Sequence, residues 1–264
     1  MQAQNLRPPV LCIGGLDPSG GAGLQADIEA IANCGGHALP IASCLTVQNS
    51  LQSFSVTAVD STLIEQQASV LFKDMQIACC KIGVVPNQAV ANSIANILAQ
   101  LTNVPVVFDP VLSASHGSEF SNADTINAIK QILLPTVTIV TPNLKELNTL
   151  MGDNGDISAQ ARSLCELGPK YVLATGADND TQHVHNTLFT RDGVKANYEW
   201  PRLPHVYHGS GCTLSSAIAC YLALNYNITS AIEKAQQFTW RSLQLAQPIG
   251  SGQWIPRRIH QTID

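Results

Sequence analysis

Apolar residues follow two patterns along this chain, short continuous runs and longer segments with helical spacing. The short runs predict six strands, at residues 11–13, 41–45, 77–81, 104–108, 137–140 and 171–174. The periodic segments predict eight helices, at residues 24–34, 64–73, 89–101, 123–133, 144–150, 159–167, 213–224 and 231–246. Alternating strands and helices are typical of a mainly parallel sheet with helices on both faces. The pattern therefore predicts an α/β fold around a central, mostly parallel sheet.

A hairpin signal follows the last of these strands. Two further short runs, residues 187–190 and 196–200, are separated by Arg191, Asp192 and Gly193, which favour a tight turn. We expect an antiparallel edge on the sheet there. The chain shows no internal repeat and no linker-like change of composition, so the sequence predicts one domain over residues 1–264.

The composition narrows the classes of function. Of the 264 residues, 45% are hydrophobic and 12% are charged, which indicates a large buried core rather than disorder. The net charge of −5 disfavours a surface for nucleic acid or anionic membrane. The isolated basic pair Arg257–Arg258 is interpreted as solvated.

The same sequence suggests where the protein resides. No apolar stretch reaches the ~18 residues of a membrane span, and the first apolar run is too short for a signal peptide. The eight cysteines lack paired spacing and indicate reduced thiols. We therefore expect a soluble, cytoplasmic protein without a membrane partner.

A glycine-rich segment from Gly14 to Gly23 joins the first predicted strand to the first helix. Glycines at a strand end let the backbone approach a ligand closely, and ligands of α/β proteins usually bind at the carboxyl edge of the sheet. The spacing matches neither a Walker loop nor a dinucleotide fingerprint. The segment predicts a ligand site, with a tight connection that binds nothing as the alternative.

A second glycine-rich segment, HGSGCT at residues 208–213, opens an apolar helix. Backbone N–H groups at such a helix start form a nest that binds anions. The helix dipole favours the thiolate of Cys212, which in a phosphoryl transfer would take the proton of the attacking hydroxyl. The alternative is a buried packing cysteine beside glycines that only shape a turn.

Polar residues follow two neighbouring predicted strands. Asp109 ends one strand, and Asn143 and Glu146 follow the next. In a parallel sheet these groups share one edge, where they would hold Mg²⁺ through water and orient nucleotide phosphates. Asn143 is also suited to cap the helix at residue 144, and the two roles are compatible.

Taken in order, these segments resemble the hydroxymethylpyrimidine/phosphomethylpyrimidine kinases of thiamine biosynthesis, a branch of the ribokinase-like superfamily. The matching strings are GLDPSGGAGLQADI, LTVQNS, KIGVV, VVFDPVL, VTPNLKE and HGSGCTLSSAIA, within residues 13–219. Most of the wider superfamily has an aspartate where this chain has Cys212. The cysteine therefore favours the pyrimidine and pyridoxal branch.

The resemblance implies a ribokinase-like three-layer sandwich and a kinase that uses ATP and Mg²⁺, usually as a homodimer. It places a small-molecule pyrimidine in a pocket of Gly15, Asp27, Gln48, Val84 and Val111. In that pocket Gln48 and Asp27 would hydrogen-bond the ring edge and its amino group. The nucleotide would lie near Asp109, Asn143, Glu146, Thr175 and Ser210, and the metal would be held by Asp109 and Glu146 through water. The catalytic group would consist of Gly209, Gly211 and Cys212.

Two departures from the family pattern bear on the efficiency of phosphoryl transfer. Val84 stands where methionine is frequent, and Thr175-Gly176-Ala177-Asp178 stands where many relatives have Lys-Gly-Gly-His. The missing lysine removes a charge near the nucleotide phosphates, which weighs against the second phosphorylation. One alternative activity is that of a pyridoxal or pyridoxine kinase, because that ring also carries a hydroxymethyl group. Another is a catalytically silent pyrimidine-binding protein, against which the intact GSGCT argues.

Overall fold

Nine strands form one continuous sheet in the computed structural model, which describes residues 7–113, 120–152, 155–176 and 181–259. Along the chain they are β1 (Pro9–Leu16), β2 (His37–Gln48), β3 (Ser53–Ala58), β4 (Cys79–Ile82), β5 (Val106–Phe108), β6 (Ile139–Val140), β7 (Tyr171–Thr175), β8 (His183–Thr190) and β9 (Gly193–Pro201). Across the sheet the order is β3-β2-β1-β4-β5-β6-β7-β8-β9. The strands from β2 to β7 in this order run parallel, while β3, β8 and β9 pair antiparallel at the edges. The predicted mostly parallel sheet and its antiparallel edge are confirmed.

Helices cover both faces of the sheet. They are α1 (Gly23–Asn33), α2 (Ser61–Asp74), α3 (Gln88–Leu98), α4 (Ala123–Ala128), α5 (Leu144–Met151), α6 (Ile157–Glu166), α7 (Ser210–Ala223) and α8 (Ile228–Gln244). Strand β1 shows how the layers form, since side chains alternate along a strand. Val10 and Cys12 pack with α1, α7 and α8, whereas Leu11 and Ile13 pack with the helices of the other face. The three-layer arrangement is confirmed.

Several elements differ from the predictions. Strand β3 was not predicted, because its sequence SFSVTA leaves alternate side chains in solvent and forms no apolar run. The helix predicted over residues 123–133 changes to a π-helical turn at Ile129–Leu133 before Pro135. Helix α6 begins at Ile157 rather than after Ser158, because Asp156 accepts the Ser158 N–H and caps it.

Helix starts fall into two groups. In α2, α3, α4 and α8 a side chain accepts the N–H group three residues further on, the caps being Asp60, Asn87, Asn122 and Asn227. Helices α1 and α7, which begin in the glycine-rich segments, have no side-chain cap. The first N–H groups of α7 are therefore available to a ligand. None of the helices in the described ranges has the length and apolarity that a membrane span requires.

Candidate active site

A cavity of about 630 Å³ runs along the carboxyl edge of the sheet. Its walls come from the segments that follow the parallel strands and from the start of α7. This is the edge at which open α/β sheets bind ligands, because the loops after successive parallel strands converge there. The strand order places lining residues near β1, β2 and β4 at one end of the cavity, which we call the apolar end. Those that follow β5 and β6 lie in its polar middle, and those on β8 and β9 lie at the other end, which we call the aromatic end.

The first glycine loop, residues 14–23, is organised by one buried carboxylate. Asp17 accepts hydrogen bonds from the backbone N–H of Ser19 at 2.8 Å, the Ser19 hydroxyl at 2.7 Å and the Ala22 N–H at 2.9 Å. His208 Nε2 lies 2.8 Å from the same carboxylate. The loop is thus shaped by its own aspartate and joined to the second glycine-rich segment.

The charge on Asp17 is stable. Burial alone would raise the pKa of Asp17, but hydrogen bonds from His208, Ser19 and Gln48 lower it well below its usual range. The carboxylate is therefore ionised at neutral pH. Its hydrogen bond with Gln48 also connects the loop to the end of β2.

The anion nest, residues 209–212, lies against the first glycine loop. Gly209 has φ of +71°, a left-handed conformation that favours glycine. A Cβ atom at Gly209 would lie 2.2 Å from the Gly21 carbonyl oxygen, so the two loops are in backbone contact. The N–H groups of Ser210, Gly211 and Cys212 have no partner within the helix, and all three residues line the cavity. The segment predicted to bind an anion thus lies on the cavity wall.

The nest is next to a buried carboxylate. A Cβ atom at Gly211 would lie 3.7 Å from Asp109 Oδ1, and Cys212 donates a hydrogen bond to Asp109. Asp109, at the end of β5, also accepts a hydrogen bond from the Ser215 hydroxyl at 3.1 Å. The structure thus brings Cys212 and Asp109, which are distant in sequence, together beside the nest.

A buried ion pair supports this region from below. Lys81 Nζ donates to Asp27 Oδ1 at 2.8 Å, and the Ser216 hydroxyl donates to the same oxygen at 2.6 Å. Lys81 and Asp27 are 1% and 0% exposed. Because Ser216 lies on α7, this helix carries both the nest and a contact to the ion pair beneath it.

These groups shift one another's protonation. Burial lowers the pKa of Lys81, but the neighbouring carboxylates, Asp27 above all, outweigh burial and raise that pKa above its usual value. Burial raises the pKa of Asp109, although Lys81 opposes the change. Burial also raises the pKa of Cys212 to about 12, again against Lys81. Cys212 is therefore a thiol at neutral pH, and the predicted thiolate at the helix start is corrected, because burial disfavours the charged form of this side chain.

The predicted contact of Asp27 with the pyrimidine also needs correction. Asp27 is fully buried and does not line the cavity; Lys81 does. Asp27 Oδ2 has no hydrogen-bond partner among the described residues, and a Cβ atom at Gly14 would lie 3.7 Å from it. The carboxylate is thus placed beneath the floor of the cavity, where it holds Lys81.

The other residues predicted to bind the pyrimidine lie together at the apolar end. Gly15, Gln48, Val84 and Val111 all line the cavity there. Phe120, which was not predicted, packs with Val84 and completes a small apolar wall. An apolar wall with one amide is suited to a flat ring that has a polar edge.

The residues predicted for the nucleotide and metal lie beyond the nest. Asn143 and Glu146 form a capping box, in which Asn143 Oδ1 accepts the Glu146 N–H at 2.9 Å and Glu146 Oε2 accepts the Asn143 N–H at 2.8 Å. Thr175 pairs with Asn143 across an isolated bridge, and all three residues line the cavity. Asp178, in the segment at residues 175–178 that departs from the family pattern, lies outside the described residues.

The part of the chain that the structure describes contains no cluster of three or more side chains able to hold a metal by themselves. The donors present, Asp109 and the Glu146 carboxylate, are hard oxygen ligands on the cavity wall. They fit Mg²⁺, which retains several waters and shares its coordination with phosphate oxygens.

The far end of the cavity is aromatic and was not predicted. The rings of Trp200 and Trp240 are 6.2 Å apart, and Trp240 Nε1 donates to the Pro201 carbonyl at 2.9 Å. Next to them, buried Asn186 and Gln236 are hydrogen-bonded at 2.7 Å and line the same cavity. An aromatic and amide surface of this kind is suited to a nucleobase.

Three other residues were missed or misread from the sequence. His208 directly precedes GSGCT, and Asp17 lies in the first glycine-rich segment. Both residues therefore belong to segments that the sequence already assigned to the site, although their contact was not predicted. Lys81 begins the matching string KIGVV at the end of a predicted strand, but no role was assigned to it from the sequence. Arg257 is exposed as expected, but Arg258 is buried, with 1% of its surface exposed, so the solvated interpretation is wrong for Arg258.

The fold and this cavity define the protein as a ribokinase-like small-molecule kinase. A family model described as phosphomethylpyrimidine kinase matches residues 17–256. The hydroxymethylpyrimidine/phosphomethylpyrimidine kinases of Staphylococcus aureus (strain MSSA476) and Haemophilus influenzae are each 31% identical to this chain. The two matches cover 94% and 92% of this chain and 92% and 93% of those proteins. The chain belongs to the phosphomethylpyrimidine kinase family.

Solved structures agree with this placement. The phosphomethylpyrimidine kinase of Clostridium difficile 630 is 29% identical and superposes with a TM-score of 0.77 over 90% of this chain and 100% of that one. A Bacillus subtilis pyridoxal kinase, solved as an ADP complex, is 24% identical with a TM-score of 0.85 over 96% of this chain and 97% of that one. At that identity the second structure shows the shared fold alone.

Proposed function

We propose that this protein phosphorylates 4-amino-5-hydroxymethyl-2-methylpyrimidine, and then its monophosphate, with Mg-ATP in thiamine biosynthesis. The observation that carries the proposal is the placement of the anion nest and Asp109 between an apolar end and an aromatic end of one cavity. A hydroxymethyl group on a ring at the apolar end and a nucleotide at the aromatic end would meet at the nest. The proposal is supported by membership of the family.

The apolar end would bind and orient the pyrimidine. Val84 and Val111 would contact its faces. Gly15 would lie beside the ring, and a larger residue there would crowd the pocket wall, because a Cβ atom would lie 3.0 Å from Cys44 Sγ. Gln48 would hydrogen-bond the ring edge, held in position by its contact with Asp17. Asp27 acts from below by holding Lys81 at the floor of the cavity.

The nest would bind the transferring phosphoryl group. N–H groups of residues 210–212 would stabilise charge on its oxygens as the new bond forms, because they are fixed before the reaction. Asn143, Thr175 and Ser210 would contact the remaining phosphates. Mg²⁺, held by Asp109 and Glu146 through water, would neutralise charge on the phosphates when it is bound with the nucleotide.

Cys212 and Asp109 would carry the proton. Because Cys212 is a thiol, it accepts the alcohol proton only as it passes its own proton to an acceptor. The Asp109 carboxylate, which accepts a hydrogen bond from Cys212, is such an acceptor. In this relay the substrate oxygen bonds to the γ-phosphorus while the bond from that phosphorus to the bridging oxygen breaks and ADP leaves with its electron pair. The substrate proton moves to Cys212 Sγ, and the thiol proton moves to Asp109.

The setting of the enzyme is part of the same proposal. We infer a cytoplasmic homodimer of single-domain chains, 1–264, with no nucleic-acid or membrane partner. The negative net charge supports the exclusion of nucleic acid. Sedimentation of the purified protein with and without added DNA tests both the dimer and that exclusion.

A kinase assay with three substrates tests the activity. Hydroxymethylpyrimidine, its monophosphate and pyridoxal are offered separately with Mg-ATP, and ADP release and products are measured. We expect kcat/KM for the pyrimidine alcohol to exceed that for pyridoxal at least tenfold. A preference for pyridoxal identifies a pyridoxal kinase, and tight pyrimidine binding without turnover identifies a silent binding protein; either result overturns the proposal.

A further inference from the structure

We propose that Arg258 is a positioning residue that clamps the first glycine loop onto the anion nest and so holds Cys212 in its reactive position. The clamp is a set of contacts within the fold and does not depend on the proposed function. Its effect on catalysis rests on that function.

The contacts of Arg258 all lead to the two loops or to α1. Its Nε donates to the Thr213 hydroxyl at 2.8 Å. One terminal nitrogen donates to the Gly21 carbonyl and, at 3.5 Å, to the His208 carbonyl. The other donates to Glu29 at 3.3 Å. A single guanidinium thus bonds both the first glycine loop and the residues on either side of the nest.

Packing alone does not explain a charge at this place. The Arg258 side chain is 0% exposed, and burial lowers its pKa although the charge of Glu29 opposes the change. Burying an arginine is costly unless its five donors are bonded. Here the acceptors are mainly backbone and hydroxyl oxygens of the site, so a planar, multidentate donor is required.

The route from Arg258 to Cys212 has two branches. Thr213, bonded by Arg258, directly follows Cys212 on α7. Gly21, also bonded by Arg258, lies two residues before Gly23, whose N–H donates to the Cys212 sulfur. Both the backbone that carries the cysteine and the loop that contacts its sulfur are therefore fixed by one side chain.

The C-terminal strap, residues 247–259, delivers Arg258 to this position. Gln247 pairs with Ile255, and Trp254 pairs with Tyr207 just before the nest. Arg257, next in the chain, is exposed, and its backbone N–H bonds the Ser242 carbonyl. Arg257 therefore offers a matched control, with the same charge and neighbourhood but without the clamp.

The experiment compares Arg258→Gln and Arg258→Lys with the control Arg257→Gln. For Arg258→Gln we expect a loss in kcat of about 10- to 100-fold, the usual effect of a small misplacement of reacting groups, with KM for the pyrimidine changed less than threefold. Lysine restores one contact and the charge, so Arg258→Lys should recover part of kcat. Hydrogen exchange at residues 20–24 and 209–214 should accelerate in Arg258→Gln and not in Arg257→Gln.

The readouts separate the two proposals. An inactive wild-type protein that shows the expected exchange pattern overturns the proposed kinase function and leaves the clamp standing. An active wild type whose kcat is unchanged in Arg258→Gln overturns the positioning role. If Arg258→Gln does not fold, Thr213→Val removes the Nε acceptor, together with the hydrogen bond that the same hydroxyl donates to the Gly209 carbonyl at 2.7 Å. It should lower kcat more than KM, whereas Glu29→Gln should leave kcat within twofold. Equal effects of these two variants also overturn the role.

Discussion

Lys81→Met tests the buried charge cluster most directly. The Lys81 ammonium lies 2.8 Å from Asp27 Oδ1, and the side chains are 1% and 0% exposed. Methionine keeps most of the side-chain length but leaves the Asp27 carboxylate buried without its cation. Breaking a buried ion pair in this way costs about 3–5 kcal/mol of unfolding free energy. For a chain of this size we expect a fall in Tm of about 6–20 °C.

A double variant separates stability from function. In Asp27→Asn with Lys81→Met both charges are absent, and the Ser216 hydroxyl keeps a partner at position 27. Replacing both members of a buried pair by neutral groups of similar shape is often nearly neutral. We therefore expect the double variant to regain most of the lost stability.

Activity should not return with stability. Lys81 is the cation that opposes the negative charge of Asp109 and lowers the pKa of Cys212. Unit charges 4–6 Å apart interact by about 3–4 kcal/mol at an effective dielectric constant near 20. A loss of that size corresponds to a roughly 100- to 1000-fold lower kcat.

Urea unfolding and steady-state kinetics on the wild type, the single variant and the double variant measure both effects. Lys145→Met, at an exposed lysine of the cavity wall, is the stability control and should unfold like the wild type. A double variant as unstable as the single variant, or one with near wild-type turnover, refutes the reasoning.

Three further predictions concern the cavity directly. Cys212→Ala should lower kcat by about 10²–10⁴-fold with little change in Tm; near wild-type turnover in a coupled assay would show that the cysteine only packs. Gln48→Ala should weaken pyrimidine binding by about 1–3 kcal/mol in calorimetry and leave nucleotide affinity unchanged, and an equal loss for both ligands contradicts its place in the pyrimidine pocket. Phosphorylation of the monophosphate should be slower than that of the alcohol and depend more steeply on Mg²⁺, because Thr175 stands where many relatives carry a lysine and two phosphate anions then repel with less protein charge between them. A faster second step with a flat magnesium response in steady-state assays contradicts this.

The parts of the site that lie within short motifs could be predicted from the sequence. The first glycine loop, the nest with Cys212, and Asp109 at the end of β5 each combine a residue pattern with a strand end or a helix start. Because parallel strands place their carboxyl ends at one edge, motifs that are distant in sequence could be assigned to one cavity. Their proximity follows from topology alone.

The parts that depend on side-chain packing could not be predicted. Asp27 and Lys81 are 54 positions apart, and nothing in their local patterns pairs them. The direction of the pKa shift of Cys212 was missed for the same reason, since a helix start is visible in sequence and the extent of burial is not. The aromatic end, with Trp200 on β9 and Trp240 on α8, likewise joins elements whose contact is set by the tertiary fold.

The C-terminal strap has a consequence for the time at which the protein acquires its reactive geometry. Arg258 and the Gly21 carbonyl that it bonds are 237 residues apart. Closing a contact of such separation costs a large loop-closure entropy until the intervening sheet has formed. We therefore expect the clamp to form after the sheet, so that recovery of turnover lags behind recovery of the circular dichroism signal. The same order holds during synthesis on the ribosome, because Arg258 is synthesised long after the first glycine loop that it bonds.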